Sequence, residues 1–231
     1  MALMKRVAEK CFETCHNPEQ IELIFGIDDD DTESIEMARA LQKELAPNNI
    51  EYIVWPRNKF IFSDLINQCS KPAKGEIFNI MSDDAIHNSK DWDKIALEIF
   101  DSHSDKIILL QTSGGANAST GFPFMHRNWR DAAGYLLSPI FEGDWGDYWL
   151  RDVINGLPGD RFVYSKDIEI KHLHAEWGHM EKDETYREHL KERQAQEALP
   201  REQHPYHGTE GTRLKNLEIE NLNNFIKNYN K

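Results

Sequence analysis

Glu76-Ile77-Phe78-Asn79-Ile80-Met81-Ser82-Asp83-Asp84 is an apolar run that ends in two adjacent carboxylates. A buried strand tolerates such an exit only where a helix cap, a cation or a ligand uses the charge. A second segment has the same form: Ile21-Glu22-Leu23-Ile24-Phe25-Gly26-Ile27 runs into Asp28-Asp29-Asp30-Asp31. Two acidic strand exits in one small domain point to a hard cation and the phosphates that accompany it.

Outward from these exits, strands and helices alternate. Leu3, Val7, Cys11 and Cys15 repeat at helical spacing and predict a helix over 3–16. Strands are expected at 21–27, 50–55, 76–81 and 106–110. Helices are expected at 33–46, 61–69 and 91–101, the first of them stopped by Pro47. This alternation means βαβ units and a three-layer α/β/α fold with a mixed, mostly parallel central sheet. Ligands of such sheets collect at the carboxyl ends of the strands, where both acidic clusters fall. Residues 111–160 are rich in glycine and aromatics, as core or as a wall for a sugar or base. Strands at 161–164 and 168–174 follow, then a polar helix at 183–197 and an amphipathic one at 212–229. The latter carries Leu214, Leu217, Leu222, Phe225, Ile226 and Tyr229 on one broad side. The expected organisation is one α/β domain over 1–186. A helical tail over 187–231 would pack on it or join a partner subunit, as in a homo-oligomer.

The 231 residues suffice for one sizeable α/β domain plus that tail. A net charge of −13 disfavours passive binding to nucleic acid or an anionic membrane. Cys11, Cys15 and Cys69 have no disulfide-framework or zinc spacing and read as reduced thiols. Neither a membrane-length apolar run nor a signal peptide is present, so a cytoplasmic protein is expected.

Four constellations carry chemistry. Asp83 and Asp84 can hold Mn²⁺ or Mg²⁺, and with it a diphosphate; capping the next helix is the alternative. In the cluster Asp28 to Asp31, Asp31 or Thr32 suits the N-cap of the next helix. Asp28, at the strand exit, is free to accept from a nucleobase N–H or a ribose hydroxyl, with Asp30 beside it. His172 and His174 share one strand face, fit to complete a metal site or touch a diphosphate. In Gly143-Asp144-Trp145-Gly146-Asp147-Tyr148-Trp149 a carboxylate, Asp144 or Asp147, can serve as general base for a hydroxyl nucleophile.

The order of these constellations resembles the GT-A glycosyltransferases, most nearly the inverting, family-two-like group with small bacterial and phage members. The resemblance covers about residues 3–190, including His172-Leu173-His174 through Gly178 and Asp183-Glu184-Thr185-Tyr186. It implies that 1–186 is a catalytic domain, with a nucleotide-binding half (1–110) and an acceptor and metal half (111–186), of a hexosyl- or pentosyl-transferase using a nucleotide-diphospho-sugar donor and Mn²⁺ or Mg²⁺. Asp28 and Asp30 would contact the nucleoside. Ser82-Asp83-Asp84 takes the place of the "DxD" motif, with Asp84 as main ligand, Asp83 beside it and His174 assisting. His172 and Arg127, with Arg130, would approach the diphosphate. Asp147 would be the base for direct displacement at the anomeric carbon. The acceptor would be a glycan, a small molecule or a modified DNA base. The family's first strand and nucleotide-holding loop have no counterpart ahead of Met4-Lys5-Arg6, which implies impaired donor binding. A nucleotidyltransferase, which would need a Gly-rich phosphate loop near the N-terminus, and a non-catalytic nucleotide-sugar-binding or assembly protein are the competing readings.

Overall fold

The computed structural model describes residues 2–45, 49–57, 61–114, 121–141, 145–173 and 184–229. Helix α1 (Ala2–Thr14) and a 3-10 turn at Pro18–Gln20 precede strand β1 (Leu23–Asp28). Helix α2 (Thr32–Glu44), strand β2 (Ile50–Trp55) and helix α3 (Ile61–Ser70) complete the first half. Strands β3 (Ile77–Asn79) and β4 (Ala85–His87), helix α4 (Trp92–Asp101) and strand β5 (Leu109–Ser113) follow. Then come β6 (Phe124–His126), α5 (Arg127–Ala133), α6 (Gly146–Asn155) and β7 (Phe162–His172). Helices α7 (Glu184–Glu197) and α8 (Thr209–Tyr229) close the chain.

Among the described residues the sheet is in two pieces. β1 and β2 form a parallel pair, and five strands in the order β3-β6-β5-β7-β4 form the rest. The two long ladders, β1–β2 and β5–β7, are parallel, whereas β6 is antiparallel to β3 and β5, and β4 to β7. The expected segments 161–164 and 168–174 are one strand. A register shift opposite Thr112 and Ser113 lets the first half of β7 pair with β5 and the end with β4. Among the described residues β1 and β3 each pair along one edge only. Gly26 records this. An added Cβ would sit 3.1 Å from Leu65 and Cys69 of α3, yet the residue is exposed along its backbone edge.

Helix α1 joins the two pieces. Met4 and Ala8 pack with Ile27, Leu41 and Ile50, while Cys11 packs with Ala85, Trp92 and Ile108. The predicted Leu3-Val7-Cys11 stripe therefore buries against β4 and α4, and a second stripe one residue on buries against β1 and β2. The third and largest core lies under α5, α6 and α8. It holds the fully buried indoles of Trp129 and Trp149, with Leu222 and Ile226 of α8. The thiols are unpaired, and burial raises the pKa of all three, that of Cys69 to about 11. No helix among the described residues is long and apolar enough to cross a membrane.

Candidate functional site

Chain direction sorts the polar residues onto two edges. Glu22 Oε2 accepts from the backbone N–H of Lys74 at 2.7 Å, so the starts of β1 and β3 lie together, and α3 spans from the exit of β2 to that point. β5 and β7 are parallel, and β6 is antiparallel to both β3 and β5. The Ser63 hydroxyl, in the first turn of α3, donates to the Phe141 carbonyl at 2.9 Å, which brings the approach to α6 to the carboxyl edge. Helix α6 then descends toward the start of β7, where Leu109 N–H bonds Arg161 at 2.9 Å. The exits of β1, β2, β3 and β7 and the N-terminus of α6 thus share one edge.

At the exit of β1 the four aspartates divide their work. Asp31 caps α2, accepting from Ser34 N–H at 3.0 Å, and Asp29 Oδ1 accepts from Arg57 N–H at 3.1 Å. Arg57 Nη1 stands 3.8 Å from both Asp28 Oδ2 and Asp30 Oδ2. Only 16% of the Asp28 side chain is exposed, against 60% for Asp30. Burial holds the Asp28 carboxyl above its usual pKa; Arg57 opposes this, and the neighbouring aspartates reinforce it. Arg57 was not among the sequence candidates. A single cation after a strand has no pattern of its own, and its partners are set by the β1–β2 pairing.

Asp83 and Asp84 do not cap a helix, which removes the capping alternative. They form a turn that feeds β4, and α4 begins only at Trp92. The Ser82 hydroxyl donates to Asp84 Oδ1, and His172 Nε2 lies 3.1 Å from Asp84 Oδ2. Backbone pairing fixes the meeting, since Leu173 N–H donates to the Asp84 carbonyl at 2.9 Å and Ala85 faces His172. Phe122 sets its ring edge-on to His172 at 4.9 Å. Asp83 is exposed. His174, Gly178 and Asp183 lie outside the described residues, as does Asp144. Among the described residues no group of three or more His, Cys, Asp or Glu is placed to hold a metal. What Asp84 and His172 offer is one carboxylate and one imidazole. That donor set fits a hard or borderline divalent cation whose other ligands are water and phosphate oxygens.

Asp147 lies in the first turn of α6, half-buried, where the helix dipole favours a negative charge. Its Oδ1 accepts from Tyr148 N–H at 2.9 Å. Arg127 and Arg130 are not brought to this edge. Because β6 runs antiparallel to β3, the residue after β6 falls beside the start of β3. There Arg127 Nη2 donates to the carbonyls of Ala73 (2.8 Å) and Gly75 (2.7 Å), and Arg130 Nη1 to that of Ser70 at 2.5 Å. These two cations hold the loop ahead of β3, at the edge opposite Asp84.

Residues 3–173 match the glycosyl transferase family 2 description. The chain belongs to this family. Among solved structures, S. aureus TarS aligns at a TM-score of 0.58 and 12% identity, over 73% of this chain and 33% of that one. S. aureus TarS 1-349 in complex with UDP aligns at 0.58 and 12%, over 72% of this chain and 55% of that one. The chain spans about a third of the first and about half of the second. No curated protein matches it. The mixed α/β architecture of this family 2 chain is the GT-A fold, and the family match ends at residue 173, ahead of α7 and α8.

Proposed function

We propose that this family 2 glycosyltransferase moves a sugar from a nucleotide-diphosphate donor to an acceptor hydroxyl with inversion. The observation that carries the reading is the gathering of Asp28 with Arg57, Asp84 with His172, and Asp147 at one carboxyl edge. Asp28 accepts from the nucleobase or ribose, while Arg57 opposes the burial that raises its pKa. The UDP held by the TarS structure supports a uridine diphosphate donor as the first to test. Asp84, with His172 beside it and with His174 as a further ligand, would hold Mn²⁺ or Mg²⁺, whose charge offsets that of the departing diphosphate. Asp147 takes the proton from the acceptor hydroxyl as its oxygen attacks the anomeric carbon. Calorimetric titration of UDP with and without Mn²⁺ tests the donor site. Asp84→Ala is expected to remove most of the Mn²⁺-dependent affinity, and unchanged affinity in that variant would sink the cation assignment. Asp147→Asn is expected to keep UDP affinity and lose transfer. The division of the sheet between β1 and β3 favours a second reading, a nucleotide-sugar-binding protein without turnover. UDP binding with no diphosphate release from any sugar nucleotide would decide for it.

A further inference from the structure

The segment after the family match builds a wall beside Asp147. Trp145 precedes α6 in the left-handed region (φ 75°), a conformation that a bulky side chain holds only where its surroundings fix it. What fixes it is a turn from the tail. Tyr206 stacks on Trp145 (ring centroids 5.8 Å, 24°), His204 meets it edge-on at 5.1 Å, and His207 lies at 6.2 Å. Tyr148 lies 5.8 Å from Trp145, with its ring tilted to it, and 43% of it is exposed. His207 is exposed and sits edge-on to Tyr206 at 4.6 Å.

This wall is tied to α6. A side chain at Gly208 or Gly211 would place its Cβ 2.5 Å or 2.0 Å from the carbonyls of Glu202 or Pro205, so the turn closes only with glycine there. The Tyr206 hydroxyl and Lys215 Nζ each bond Asp152 Oδ2 of α6 at 2.6 Å, and Lys215 lies 4.1 Å over the Tyr206 ring. Burial and the Asp152 bond raise the Tyr206 hydroxyl pKa first, and the charges of Asp152 and then Asp147 add to it.

We infer that Trp145, Tyr148, Tyr206 and His207 form an acceptor subsite for a saccharide ring, placed by the tail against Asp147. The inference rests on the glycosyl-transfer reading and adds the acceptor class to it. Aromatic faces bind the C–H face of a sugar, while imidazole and carboxylate groups take its hydroxyls. A DNA base would stack equally well. Its phosphates, however, would meet Asp147 and Asp152 on a chain of net charge −13, so the surroundings favour the uncharged saccharide.

The test uses the full chain with UDP and Mn²⁺, probed by saturation-transfer NMR. The probes are the methyl glycosides of glucose, galactose and N-acetylglucosamine, with a duplex containing 5-hydroxymethylcytosine as competitor. At least one glycoside is expected to bind through its ring protons. Tyr206→Ala and His207→Ala are expected to weaken it at least about fivefold, and Tyr206→Phe, which keeps the ring, to weaken it less than about twofold. His207 is exposed, so its variant reports without a folding penalty. No glycoside signal, or equal affinity in wild type and His207→Ala, overturns the inference; displacement by the duplex overturns it in favour of DNA. UDP titrated in the same samples separates the two readings. Absent binding of UDP, GDP and ADP alike, each titrated in the same way, fails the glycosyl-transfer reading, whereas nucleotide binding without glycoside binding fails the subsite alone.

Discussion

At the scale of single residues, buried His87 and half-buried Asp28 answer to pH and to substitution in different ways. His87, at the end of β4, stacks on Trp92 at 4.0 Å and bonds Asn79 at 3.1 Å. Burial lowers its pKa from 6.5 to about 3, with the Asp93 charge opposing weakly. The folded state therefore excludes a proton that the unfolded chain takes up below its own pKa. The stabilisation is fully present above about pH 6.5 and is lost as pH falls from there toward the folded value, at about 1.4 kcal/mol per pH unit. Urea unfolding between pH 7 and pH 5 should show this slope, and His87→Gln should flatten it; an unchanged slope would mean that other groups carry the dependence. Asp28 answers to a ligand instead. A charged acceptor is worth about 1.5 kcal/mol more than a neutral one, so Asp28→Asn should weaken UDP roughly tenfold by calorimetry, with stability nearly unchanged. Equal affinity would take Asp28 out of the donor site.

At the scale of elements, α8 shows what hydrophobic pattern reveals and what it hides. The amphipathic pattern over 212–229 located the helix, and Leu222 and Ile226 are buried as that pattern requires. Leu217 and Tyr229, assigned to the same broad side, are exposed. The residue that anchors the helix is Glu218, which is 2% exposed. Its carboxylate accepts from Trp149 Nε1 (2.7 Å), the Tyr135 hydroxyl (2.9 Å) and Trp129 Nε1 (3.2 Å). Burial raises its pKa, and these three bonds oppose the rise. Glu218→Ala would strand three buried donors and should cost roughly 3 kcal/mol, read as a shift in the urea midpoint. Glu218→Gln keeps one acceptor and should cost less. An alanine variant as stable as wild type would mean that α8 is held by its leucine and isoleucine contacts alone. A glutamate inside an apolar stripe looks like a solvated face in sequence, because its partners come from α5, the turn after it and α6, about 70 to 90 residues away. The strand exits were legible for the opposite reason. Apolar runs and helical spacing are local, and the right-handed crossover carries every parallel exit to the same edge. The shift of β5 to Leu109–Ser113, three residues beyond the expected 106–110, belongs with the hidden part. Ile107 and Ile108 are as buried as the strand, so composition could not separate lead-in from ladder.

At the scale of the whole molecule, the two edges divide binding from support, and the division turns on one short strand. β6 has three residues and no periodicity to announce it, so nothing in the sequence told that the chain reverses there. That reversal carries Arg127 away from the acidic exits and onto the carbonyls of Ala73 and Gly75. Opposite signatures follow for two substitutions that look alike on paper, each removing one charge. Arg127→Met leaves two carbonyls without their charged donor and should cost about 2 kcal/mol of stability. It should also leave UDP affinity, with and without Mn²⁺, within about twofold, because the ends of β3 are separated by the length of the strand. Asp84→Asn keeps the acceptor for Ser82 and a bond for His172 and should cost less than about 1 kcal/mol, while the Mn²⁺-dependent part of UDP affinity falls at least about tenfold. Urea unfolding and calorimetry on both proteins complete the comparison. Loss of UDP affinity in a stable Arg127→Met protein would return Arg127 to the donor site. Equal losses of stability and affinity in Asp84→Asn would make Asp84 a bracket between β4 and β7 rather than a ligand. Only the crossed result, stability lost at one edge and cation-dependent affinity at the other, fits the chain directions described here.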